Sequence, residues 1–159
     1  MPDLLVKLYD LPPATPVEGV TIRVARPFER GHLRDFIEEH FTRSWADEAD
    51  AGFANRPVST WLATEPAEGG RSKIVGFAGY DCTARGLWGP TGVAPSARGR
   101  GIGKALLLHS LHAMHTAGYA YAIIGGAGPV DFYRDTCGAT VIDGSEPGFY
   151  RDLLKPNSA

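Results

Sequence analysis

Residues 97–107, ARGRGIGKALL, set Gly99, Gly101 and Gly103 at alternate positions among Arg98, Arg100 and Lys104, then run directly into an apolar helical pattern. A turn of this kind between a strand and a helix gathers free backbone N–H groups at the positive end of the helix dipole. Glycines let an anion approach the backbone because no Cβ intervenes, and the flanking cations add charge around it. The chemistry on offer is phosphate binding. Two phosphate loops fail on spacing. The triphosphate loop G-x-x-x-x-G-K-[ST] meets Arg98 where its first glycine belongs and Ala105 where its hydroxyl belongs. The dinucleotide fingerprint G-x-G-x-x-G, started at Gly99 or Gly101, ends on Lys104 or Leu106. What remains is Arg98-x-x-Gly101-x-Gly103 after VAPSA.

That segment, GVAPSARGRGIGKALL, resembles the acetyl-CoA pyrophosphate loop of the GNAT superfamily (GCN5-related N-acetyltransferases), whose signature is Arg or Gln, two residues, Gly, one residue, Gly or Ala. The resemblance covers residues 19–154 and includes the order of elements. It implies acetyl-CoA as cosubstrate, with the pyrophosphate on the backbone N–H groups of Gly99, Arg100, Gly101, Ile102, Gly103 and Lys104 and with Arg98 beside them. It also implies that Val93 and Ala94 pair through their main chain with the pantetheine arm, as an added strand would. VDFYRDTCGA resembles the family's FYxxxGF segment, which assigns Tyr133 to the thioester sulfur as general acid or hydrogen-bond donor. A phenol near pKa ~10 is a weaker acid than a thiol near ~8.5, so donation of a hydrogen bond to developing sulfur charge is the safer role.

Two departures stand out. Gly128 and Pro129 occupy the place where many members carry a cofactor-contacting asparagine, and GLWGPTGV has no Glu or Asp where several relatives place a general base. An alkylammonium near pKa ~10.4 is only about a thousandth free amine at pH 7, so the reaction needs a base or an amine of low pKa. Asp81, at the end of the preceding strand, is the first candidate base; Glu48 and Glu146 are further ones, expected on loops at the cleft rim. Trp45, Trp61 and Trp88 include candidate walls of an acceptor pocket. His109, His112 and His115 share one side of a helix, but no carboxylate or cysteine joins them at ligand spacing, so no metal is expected.

The elements around these residues follow from periodicity. GVTIRVAR alternates as a half-buried strand, and Phe28, Leu33, Phe36, Ile37 and Phe41 mark an amphipathic helix. A second short helix lies within 43–57, strands at 58–65 and 73–82 flank a PAEGG turn, and 86–95 is a strand broken by Gly89, Pro90 and Gly92. Then come the motif helix ending near Gly118, strand 119–124, a short helix around 130–137, and strand candidates at ATVI and GFYRDLL. Residues 1–18, with a short strand at LLVKLY and prolines at 12, 13 and 16, are expected to be an N-terminal extension; 19–159 would form one GNAT domain. The fold class is α/β, with a mixed, mostly antiparallel central sheet of about seven strands flanked by about four helices and splayed at the cofactor slot.

Composition narrows the partners. Lys and Arg total 16 against 18 Asp and Glu, so no global field favours nucleic acid or anionic lipid. Cys82 and Cys137 fit no C-x-x-C spacing and read as small hydrophobes of a reducing compartment; with no signal-peptide core and no apolar run of membrane-spanning length, a cytoplasmic location is expected. The expected activity is N-acetylation of a primary amine on a small molecule: an amino sugar, amino acid or polyamine. The alternative is a catalytically weak module that binds acetyl-CoA. A homodimer through the C-terminal strands stays open.

Overall fold

The computed structural model describes residues 1–157. Its strands are β1 Leu4–Lys7, β2 Thr21–Val24, β3 Thr60–Pro66, β4 Ser72–Tyr80, β5 Leu87–Val93, β6 Tyr121–Ile124 and β7 Thr140–Val141; its helices are α1 Arg30–His40, α2 Arg43–Ala51, α3 Ile102–Thr116 and α4 Val130–Cys137. They form one seven-stranded sheet in the order β2-β3-β4-β5-β6-β1-β7. Every neighbouring pair is antiparallel except β5–β6. No helix among the described residues is long and apolar enough to cross a membrane.

Strand period two assigns the layers. On β4, a Cβ at Gly76 would come within 3.0 Å of Leu106 on α3, whereas its neighbour Phe77 packs edge-on to Phe36 of α1 and to Phe41 beyond it. The sheet is therefore covered by α3 on one face and by the α1–α2 pair on the other. Gly76 has a packing reason: it lets α3 approach the strand. Helix α3 is apolar on most sides, with Ile102, Leu106, Leu107, Leu108, Leu111 and Met114 almost fully buried. Its one buried hydroxyl, Ser110, donates to Leu106 O at 2.6 Å and accepts from Trp88 Nε1 at 2.7 Å, which ties β5 to the helix.

The two chain ends depart from expectation. Residues 1–18 are not peripheral: β1 lies inside the sheet, pairing Leu4 with Ile124 of β6 on one side and with Val141 of β7 on the other. Leu4 and Val6 are fully buried, as their alternation with Leu5 and Lys7 allows. Conversely, GFYRDLL forms no strand. The place beside β6 that a final strand would take is filled by β1, and the late segment is instead held by Asp3, whose Oδ2 accepts from Phe149 N at 2.7 Å. Asp3 is buried; its Oδ1 accepts from Gly126 N at 2.8 Å and its amide donates to Ser145 Oγ at 2.9 Å. One carboxylate so joins the chain's first strand to the end of β6 and to the C-terminal loop.

Candidate active site

The slot begins where the parallel pair parts. Strands β5 and β6 pair only at Leu87–Ile123 and Trp88–Ile124, after which β5 continues alone through Gly89–Val93. Between that free edge and the glycine-rich turn after β6 lies a cleft of about 830 Å³, lined on one side by Gly89–Val93 and on the other by Gly125–Pro129. The β4–β5 ladder fixes which β5 groups face it. Ala94 N donates to Val75 O at 2.8 Å, and the alternation of an antiparallel ladder then turns Gly92 and Ala94 towards β4 and the backbone groups of Thr91 and Val93 away from it, into the slot. The carbonyl of Ala94 is also used, accepting from Ala97 N at 2.9 Å. Of the two residues expected to pair with a pantetheine arm, Val93 is so oriented and Ala94 is not. Thr91 has the orientation that Ala94 lacks, which could not be read without the register.

The loop after β5 is shaped for an anion. Among the described residues, no acceptor is found for the backbone N–H groups of residues 98–104; the first amide to enter the helical ladder is Ala105 N, donating to Gly101 O at 3.0 Å. Gly99 and Gly101 have φ of +79° and +82°, a region that favours glycine. Gly103 sits on the first turn of α3 and borders the cleft. The cations around it are not equivalent. Arg98 Nε donates to Val93 O at 3.2 Å, folding the loop back on β5, while Arg100 reaches away to Glu65 at 2.9 Å, where Lys73 also lies at 3.3 Å. Those cations, Arg100 first, hold the Glu65 carboxyl below its ordinary range. Lys104 is exposed, and the Ile102 side chain is buried in the core, so Ile102 offers only its amide.

At the other end of the cleft stands Tyr133 on α4, only 6% exposed, with its ring edge-on to Trp88 at 5.9 Å and to Phe132 at 5.2 Å. Its hydroxyl has no hydrogen-bond partner among the described residues, and burial pushes its pKa up to about 12. It is a neutral donor at the wall of the cleft. Opposite it, α2 brings Ser44, Trp45 and Glu48 to the same space. The N-cap Thr42, accepting from Trp45 N at 3.2 Å, starts that helix.

The candidate carboxylates separate on inspection. Asp81 is outside the cleft lining and is consumed by the β4–β5 turn: Oδ1 accepts from Gly86 N at 2.7 Å, Oδ2 from Tyr119 OH at 2.7 Å, and its own φ is +53°. The turn needs that side chain, so the expectation of a base at Asp81 is replaced. Glu146 accepts from the Met1 ammonium at 2.6 Å and also lies outside the lining. Glu48 does line it, and from a helix rather than the expected loop. Its Oε2 accepts from Thr83 Oγ1 at 2.5 Å and Tyr150 OH at 2.8 Å. Sequence reasoning did not join these three. Glu48 stands three residues after Trp45, a helical spacing that puts both on one face, but Tyr150 carries no local signal. Among the described residues no group of His, Cys, Asp and Glu could hold a metal ion.

A mostly antiparallel seven-stranded sheet, opened between its one parallel pair beside a helix N-terminus, defines a mixed α/β fold with a cleft at the opening. The chain belongs to the GNAT family: the family model for the acetyltransferase (GNAT) domain matches residues 57–151. No curated protein sequence matches it. Among solved structures it is similar to the glucosamine N-acetyltransferase region of a fungal multi-domain GH3 β-N-acetylglucosaminidase, at 18% identity and TM-score 0.69, over 89% of this chain and 19% of that one. A GCN5-related N-acetyltransferase from Sphaerobacter thermophilus aligns at 24% identity and TM-score 0.68, over 89% and 48% of the two chains. A GNAT family acetyltransferase from Brucella melitensis in complex with acetyl-CoA aligns at 19% and 0.55, over 87% and 93%. The chain thus spans about a fifth and about half the length of the first two.

Proposed function

We propose that the protein transfers an acetyl group from acetyl-CoA to the primary amine of a small molecule, by direct attack within a ternary complex. The observation that carries this reading is the run of amides at residues 98–104 that find no acceptor among the described residues, placed at the end of a strand edge that faces the cleft. A pyrophosphate fits the first and an extended amide-bearing arm fits the second. Acetyl-CoA, once bound, supplies an acyl thioester.

The chain's own residues do the rest. Amides of Gly99–Lys104 bind the diphosphate, with Arg98 and Lys104 near it, and Thr91 and Val93 orient the arm. Tyr133 donates a hydrogen bond where negative charge develops on sulfur. With its pKa near 12, complete proton transfer to a thiolate of pKa ~8.5 would be uphill by about 5 kcal/mol, so hydrogen bonding is its contribution. The acceptor nitrogen bonds to the acyl carbon as the carbon–sulfur bond is lost; of the two protons the ammonium gives up, one ends on the thiol and one in solvent.

The test is CoA release from acetyl-CoA across amino sugars, amino acids, polyamines and simple alkylamines, with acetyl-CoA affinity measured on the same preparation. Release that depends on one amine class supports the reading. Tight binding of acetyl-CoA with no acceptor-dependent release would shift it to a binding module, a reading favoured only by the lack of acidic residues on β5.

A further inference from the structure

Among the described residues Glu48 is the one charged side chain that lines the cleft, with no Lys, Arg, His or Asp beside it there; Met1 also lines it, its ammonium bound to Glu146. Glu48 is half-buried and forms no ion pair among the described residues. Its two oxygens are treated differently. Oε2 receives the hydroxyls of Thr83 and Tyr150, one from the β4–β5 turn and one from the C-terminal loop, while Oε1 receives no hydrogen bond from the described residues. A carboxylate pinned by one oxygen and open at the other presents a fixed acceptor with a full charge, in a low-dielectric setting where that charge counts for more than in water. The cleft it lines is also walled by the rings of Trp45, Phe132 and Tyr150 with Pro90, Pro147 and Leu153.

We propose that Glu48 anchors the ammonium of the acceptor through Oε1, and that the acceptor is an amine with one cationic centre, an apolar or aromatic body and no carboxylate. This rests on the acetyl-transfer reading above and narrows it. One negative charge matches one ammonium and leaves the second and third charges of a polyamine unpaired. The Met1 ammonium at the cleft rim is already paired with Glu146 Oε1 at 2.6 Å, so an α-carboxylate would meet Glu48 with no free cation among the described lining residues to offset it, and like charges so placed repel. The many hydroxyls of an amino sugar would find few polar partners on so apolar a wall, and an unpaired buried hydroxyl is costly. The hydroxyls of Thr83 and Tyr150 position the carboxylate, and the Tyr150 ring is part of the cleft wall.

The test compares 2-phenylethylamine with phenylalanine, which differ only in the carboxylate, and adds spermidine and glucosamine, in acetyl-CoA-dependent CoA release. The expected result is that 2-phenylethylamine is preferred over each of the others by at least about tenfold in kcat/KM. Glu48→Gln, which keeps an acceptor for Thr83 and Tyr150, raises KM for 2-phenylethylamine by about 10- to 100-fold and leaves acetyl-CoA affinity unchanged. Tyr150→Phe raises the same KM by a few-fold with kcat kept. Equal use of phenylalanine or spermidine, or an unchanged KM in a folded Glu48→Gln protein, would overturn the assignment and leave acetyl transfer standing. Absence of turnover with every amine, despite acetyl-CoA binding, would overturn the acetyl-transfer reading and the anchor with it.

Discussion

The proposed phosphate loop is one run of chain, residues 98–104 held between β5 and α3, whereas the proposed acceptor side draws Trp45 and Glu48 from α2, Thr83 from the β4–β5 turn and Tyr150 from a loop 102 residues beyond Glu48. The first works through backbone N–H groups whose directions follow from a strand-to-helix turn. The second works through side chains brought together only by the completed sheet. The loop's function is therefore local and tolerant of changes elsewhere, while the acceptor side depends on how the two chain ends are tied. Asp3 is that tie, since it holds Gly126, which lines one wall of the cleft, and the amide of Phe149, the neighbour of Tyr150, which lines another.

Substitutions can separate the two regions. The largest effect is expected at Tyr133→Phe, which removes the hydroxyl proposed to donate to the leaving sulfur: kcat falls about 100-fold while acetyl-CoA affinity, assigned above to the loop, stays within a factor of two. Steady-state kinetics beside calorimetry check it, and unchanged turnover would make Tyr133 a packing residue. Asp3→Ala leaves two amides, Gly126 and Phe149, without their acceptor; stability drops by about 3 kcal/mol in denaturant unfolding, and the amine KM rises more than the acetyl-CoA Kd. Equal loss in both constants would erase the distinction between the regions.

A smaller effect is expected at high pH. Burial raises the phenols of Tyr133 and Tyr150 to about 12 in the folded chain, against ~10 when unfolded. The folded state then keeps protons that the unfolded chain loses, so this contribution is complete below pH ~10 and declines as pH rises towards the folded value. Tyr133→Phe should flatten the fall of the melting temperature between pH 9 and 11. The smallest effect is expected at Arg100→Ala. Its guanidinium is committed to Glu65 at the surface, so acetyl-CoA affinity should weaken by less than about threefold. A larger loss would return Arg100 to the diphosphate.

The same contrast explains what could be read from the chain before folding. Glycine spacing, the cations and the apolar run of α3 lie within a dozen residues, so the strand-to-helix loop is legible there. The break of β5 by Gly89, Pro90 and Gly92 also announced the slot, but the choice between Ala94 and Thr91 depends on the phase of the β4–β5 ladder, which residue types do not encode. A carboxylate at a strand end looks alike in sequence whether it faces a cleft or, as Asp81 does, closes a turn. The final strand at GFYRDLL was misplaced for a different reason. An apolar segment fits a sheet position only if no other strand fills it, and LLVK, at the opposite end of the chain, does.

The most direct measurement is calorimetric titration of acetyl-CoA into the protein and into Gly103→Val, with both shown to be folded by circular dichroism and thermal melting. A Cβ at Gly103 meets only Val93 Cγ2 at 3.7 Å, an ordinary contact, so the fold tolerates the side chain while its branches cover the amides at the start of α3. Binding by the parent protein and a loss of about 30-fold or more in the folded variant is the predicted result. Equal affinity in the two would contradict the placement of the diphosphate on this loop, and with it the site from which acetyl transfer is argued.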